Sequence, residues 1–159
     1  MLNKIMIATD GSDASRHAAD LGIGLAKRSA GKVIAVYVVD IERLANLPGY
    51  ATLHGLKESL LDAMLKEGKE AVAYIEEKSK EEGISCDKVI LKGDPSEKLL
   101  RYSKESGADI LVIGSIGRTG VSRFLLGSVA EKVVRHSEVP VMVVPFNLKE
   151  RPGDFFIAG

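Results

Sequence analysis

Apolar runs of strand period alternate along this chain with helical stripes, and few folds accept that order. The runs fall at about residues 4–9, 32–39, 88–91, 108–113 and 139–144. Ser12, Asp13 and Ser15 offer caps for a helix to about residue 30, with Ala18, Leu21 and Leu25 on its inner face and Gly31 ending it. A longer helix carries Leu61, Leu65, Gly68, Val72 and Ile75 on one stripe, at spacings of four and three, and ends at Gly83. Asp94-Pro95-Ser96-Glu97 is a helix start with cap, first-turn proline and acid, and Gly107 closes that helix. The segment 41–55 includes Asn46-Leu47-Pro48-Gly49-Tyr50, which reads as irregular and too long for a minimal connection. Five strands with intervening helices predict an α/β fold, a doubly wound parallel sheet with helices on both faces. Ligands of such sheets sit at the strand C-termini, near the point where strand order reverses. If strands one and four are neighbours, the loop after strand four faces Asp10 at the end of strand one.

That loop is the most informative motif. Gly114-Ser115-Ile116-Gly117-Arg118-Thr119-Gly120 follows the fourth apolar run, and Gly127-Ser128 precedes the helical Val129-Ala130-Glu131-Lys132-Val133-Val134. A strand, a glycine loop and a helix start gather backbone N–H groups around one point, where the helix dipole also favours an anion. A phosphate chain is the occupant this arrangement predicts. Ser128 followed by Glu131 is the capping-box spacing, so Ser128 reads as the N-cap of the last helix. The P-loop is excluded, because Gly31-Lys32 is followed by Val33 and Gly68-Lys69 by Glu70. The dinucleotide fingerprint is excluded too, since the first strand leads into Asp10-Gly11-Ser12-Asp13.

A length of 159 residues suits one domain. With 22 basic and 22 acidic side chains, nothing points to nucleic acid or an anionic membrane as partner. The single cysteine, Cys86, reads as a small apolar residue at a strand start. Met1 leads directly into strand-like sequence and no apolar run approaches membrane-spanning length, so the cytoplasm is the expected location.

Gly114-x-x-Gly117, nine residues, then Gly127-Ser128 resembles the nucleotide motif of the ATP-binding universal stress proteins. Ile5-Met6-Ile7-Ala8-Thr9-Asp10-Gly11-Ser12 and Val139-Pro140-Val141-Met142-Val143-Val144-Pro145 resemble that family's two ends. The resemblance covers a domain of residues 1–145 and leaves a tail, 146–159. It implies a Rossmann-like fold of the adenine nucleotide alpha-hydrolase kind with sheet order 3-2-1-4-5. It further implies bound ATP, with Mg2+ or Mn2+ as the accompanying ion, and a homodimer formed through strand 139–144. Carried over, the backbones of Ala8 and Val38 border the adenine, Thr9 belongs to the same nucleotide site, and Asp10 lies beside the nucleoside, toward the ribose or a metal. Gly114, Ser115, Ile116, Gly117, Arg118, Thr119 and Gly120 wrap ribose and phosphates, while Gly127, Ser128 and Val129 close over the phosphate chain.

The leading reading is therefore a stress-response binding module that acts on an unnamed client protein. An enzyme needs a catalyst, and His17, His54 and His136 show neither triad nor metal-ligand spacing. His17 lies near the mouth of the site, and Asp10 is the one acid placed to serve slow hydrolysis. An adenylating enzyme of related fold requires Ser-Gly-Gly-x-Asp-Ser, of which Asp10-Gly11-Ser12-Asp13-Ala14-Ser15 supplies two positions. A receiver domain requires a lysine after strand five, where Pro145 stands, and an aspartate after strand three. There Asp94 reads instead as a helix cap.

Overall fold

Strands rich in Val, Ile and Ala, with side chains buried on both faces, can only be the inner strands of a sheet covered on each side. A computed structural model of the protein, describing residues 1–48, 55–116 and 126–146, has that form. In chain order the elements are β1 (Lys4–Ala8), α1 (Asp13–Ser29), β2 (Lys32–Asp40), α2 (Ile41–Ala45), α3 (Leu56–Glu81), β3 (Cys86–Gly93), α4 (Pro95–Glu105), β4 (Ile110–Gly114), α5 (Ser128–His136) and β5 (Val141–Val144). The five strands are parallel, in the order β3-β2-β1-β4-β5, and helices flank both faces.

Strand alternation sorts the core into two layers. Ile5, Ile7, Val33, Ala35 and Tyr37 pack on one face with Ala18, Ala19 and Ile23 of α1 and Val72 and Ile75 of α3. Met6, Ala8, Ile34, Val36, Leu111 and Ile113 pack on the other with Leu99 of α4 and Ala130 and Val133 of α5. The expected α3 stripe holds: Gly68, Val72 and Ile75 are buried, with Leu61 and Leu65 packed at the margin.

α1 differs from expectation. Leu21 is 50% exposed, and the buried face is Ala14, Ser15, Ala18, Ala19, Gly22, Ile23 and Ala26. Small residues win because the helix lies close to the sheet; a Cβ on Gly22 would come within 2.8 Å of Ile7 Cδ1. At the end of α1 the left-handed residue is Ala30, at φ 53°, rather than Gly31. Gly31 is glycine for space, since a Cβ there would sit 2.5 Å from the Leu2 carbonyl oxygen. The segment after Asp40 opens with the short helix α2, β3 is longer than its central run, and β5 is confined to four residues. Asp94 caps α4 as expected: its carboxylate accepts from the Glu97 N–H at 3.0 Å and the Ser96 hydroxyl at 2.7 Å. Those two donors hold its pKa below the ordinary carboxylate value. Cys86 opens β3 half-buried, and burial pushes its thiol pKa up, which disfavours the reactive thiolate.

Candidate functional site

Strands of unequal length create the site. β1 ends at Ala8, level with Val36 of β2, whereas β2 runs on to Asp40 beside β3. The Thr9 N–H still donates to the Val36 carbonyl at 2.9 Å. Val38 is two residues further, so its N–H and C=O point to the same edge, where β1 has already ended. The chain leaves β1 through a tight turn. Thr9 Oγ1 accepts from Gly11 N–H at 3.1 Å, Asp10 Oδ1 accepts from Ser12 N–H at 2.9 Å, and Gly11 takes φ 82°. Ser12 then caps α1 by accepting from Ser15 N–H at 3.2 Å, while Ser15 Oγ lies 3.0 Å from Thr9 Oγ1.

On the opposite side, β4 ends at Gly114 and α5 begins at Ser128. Here the expected capping box is absent. Gly127 is the N-cap, with extended backbone and no side-chain cap bond, and Ser128 is the first helical residue. The Glu131 N–H bonds to the Gly127 carbonyl at 2.9 Å, and the Glu131 carboxylate turns outward to Arg135 at 2.8 Å. An uncapped start leaves the first-turn N–H groups without the side-chain acceptor that a Ser128 cap would have supplied, at the positive end of the helix dipole. Gly127 is held in place by its own N–H, which donates to the Ser115 carbonyl at 2.7 Å.

Between these two ends lies a cavity of about 460 Å³ at the strand C-termini, a volume ordinary for a small-molecule site. The residues singled out from the sequence that line it are Ala8, Thr9, Asp10, Val38, Gly114, Ser115, Ile116, Gly127, Ser128 and Val129. Gly117, Arg118, Thr119 and Gly120 lie outside the described residues, as do His54 and the tail from residue 147. His17 is exposed on α1, its ring tilted against Phe146 at 5.9 Å, and it is not part of the cavity wall. His136 ends α5, remote from its N-terminus. Among the described residues, no three His, Cys, Asp or Glu side chains group to hold a metal.

Part of the wall was missed in the sequence. Arg43, Leu44 and Leu47 come from the α2 region, and Leu60, Met64 and Glu67 from α3. The second trio carries a legible signal: spacings of four and three place it on one helical stripe, beside the core stripe.

The arrangement is that of a doubly wound α/β domain, with its cavity at the β1/β4 switch point beside an uncapped helix start. The chain belongs to the universal stress protein family, whose model matches residues 1–145. It is 37% identical to universal stress protein MJ0531 of Methanocaldococcus jannaschii, covering 94% of this chain and 86% of that one. The solved structure of MJ0577, from the same organism, superposes with a TM-score of 0.80 at 27% identity, covering 94% of this chain and 99% of that one. A family protein from Arabidopsis thaliana, solved with AMP bound, shares the fold at TM-score 0.67 and 22% identity, covering 96% of this chain and 97% of that one. Other universal stress proteins of this fold have been solved with dAMP and with cAMP. No described helix is long and apolar enough to cross a membrane.

Proposed function

We propose that this protein binds ATP in the cavity above β1, β2 and β4 and works as a cytoplasmic, homodimeric, nucleotide-responsive module acting on a client protein. The observation that carries the reading is the pairing of two ends across one cavity. The uncapped start of α5 receives phosphate, and the open backbone edge at Val38 offers one donor and one acceptor to a base. Adenine presents the complement, a ring nitrogen that accepts and an amino group that donates. The relatives solved with AMP, dAMP and cAMP support an adenine nucleotide. Gly117, Arg118, Thr119 and Gly120 are the residues to complete the phosphate wrap. Asp10, which lines the cavity, is the acid to meet a Mg2+ or Mn2+ carried in with ATP.

The nucleotide released when the purified protein is denatured is the direct test, and ATP is expected. In nucleotide-free protein, ATP at a hundredfold excess over its dissociation constant adds about 2.7 kcal/mol of stability. At about 2–4 °C per kcal/mol that is a rise of roughly 5–10 °C in melting temperature. An unchanged melting temperature with saturating Mg-ATP refutes the reading.

The second reading, a weak ATPase or adenylate-transferring enzyme, rests on Asp10 alone. One of its carboxylate oxygens already accepts the Ser12 N–H, so it is partly committed to the turn. Turnover is expected far below the ~1–100 s⁻¹ of kinases. A rate above about one per second, lost in Asp10→Asn with affinity retained, makes the protein an enzyme.

A further inference from the structure

We infer that Arg43 is a binding contact for the base, its guanidinium lying against the adenine ring rather than the phosphates; the inference rests on the nucleotide reading above. Among the described residues lining the cavity, Arg43 is the one cation, against the carboxylates of Asp10, Asp40 and Glu67. Its place in the fold decides which part of a ligand it meets. Arg43 follows Val38 by five residues, on the short helix that begins where β2 ends. The start of α5, the phosphate end on that reading, follows β4, on the far side of β1 from β2. Two strand spacings, about 10 Å, therefore separate the two ends. Asp40 accepts from the Arg43 N–H at 3.0 Å, which fixes the first turn of α2 against the end of β2.

Charge favours the same assignment. Asp40 precedes α2, and Glu67 comes from α3, which packs against β2 and α2. A phosphate held by Arg43 would sit near these two carboxylates, whereas a neutral base is not repelled by them. A planar guanidinium stacks on an aromatic ring in a way an ammonium does not. Leu44, Leu47 and Met64 supply apolar wall to the same cavity, as a heterocycle needs.

The test is calorimetric titration of nucleotide-free wild type, Arg43→Ala and Arg43→Lys with ATP, AMP and adenosine. Base stacking predicts that Arg43→Ala weakens all three ligands by the same factor, about three- to thirtyfold. Arg43→Lys, which keeps the charge and loses the plane, is expected to recover only part of the affinity for each ligand. Arg43 is exposed, and its side chain is not part of the buried core, so both variants are expected to keep the wild-type melting temperature without ligand. Weakening confined to the phosphate-bearing ligands, with adenosine unchanged, overturns the inference in favour of a phosphate contact. Unchanged affinity in both variants overturns it in favour of a solvated arginine. Wild type that binds none of the three ligands refutes the nucleotide reading itself, an outcome distinct from either.

Discussion

Gly127→Val is expected to abolish the ATP-dependent rise in melting temperature while leaving a folded protein. Gly127 has φ −60° and ψ 156°, a region open to valine, so the backbone need not change. The cost to the unliganded fold is that of a poor N-cap, about 1 kcal/mol, or roughly 2–4 °C in a domain of this size. Binding suffers far more, because a branched side chain enters where the phosphate must approach the first-turn N–H groups. Raising the dissociation constant about a hundredfold leaves only about 0.4 kcal/mol at the ligand concentration that gave 2.7 kcal/mol before. Melting curves of both proteins with and without Mg-ATP decide the matter. A full shift surviving in Gly127→Val removes the α5 start from the site.

The second large effect concerns the edge of the sheet. β5 is the last strand, and it bonds to β4 through Pro140 and Val144, whose carbonyls accept from Leu111 and Ser115 N–H at 2.9 Å each. By strand alternation, Val141 and Val143 turn their N–H and C=O groups away from β4, toward the open edge. If two copies pair there, Val143→Pro removes an outward donor while sparing the ladder to β4. A symmetric dimer carries the change twice, so the loss is about 2–6 kcal/mol. Light scattering is then expected to show a fall from twice 17.1 kDa to the single-chain mass. Val141 and Val143 both pack against the buried layer beneath them, so Val141→Lys, which sets a charge there, is a poorer probe than proline, which stays apolar. Wild type that already runs as a monomer at micromolar concentration refutes the dimer.

The strands were legible because their apolar runs are continuous, and the helix ends because Asp94-Pro95 and the glycines at 83 and 107 are unambiguous punctuation. The sheet order 3-2-1-4-5 came from the family resemblance and is the order observed. Leu21 misled because periodicity weighs side-chain size, whereas α1 is pressed close to β1 and needs its smallest residues inward. Ser128 misled because Ser and Glu three apart serve equally as a capping box and as a plain first turn. Gly127 already supplied an extended N-cap, and Arg135 drew Glu131 outward. The α2 wall was invisible for a simpler reason: a helix of five residues is too short to show a period. Arg43 therefore looked like any other charged residue in a loop.

The unequal lengths of β1 and β2 set the fold and any ligand in competition for the same groups. Were β1 two residues longer, Thr9 and its successors would occupy the Val38 edge, and the sheet would zip shut over its own recognition surface. The Thr9-Asp10-Gly11 turn stops it, with Gly11 at φ 82° steering the chain away. The cavity is in this sense an unfinished rung, and a residue in the first turn guards it without touching what binds there. A substitution at Gly11 that favours extended backbone is expected to act as an intramolecular inhibitor, with the protein's own strand as the competing ligand.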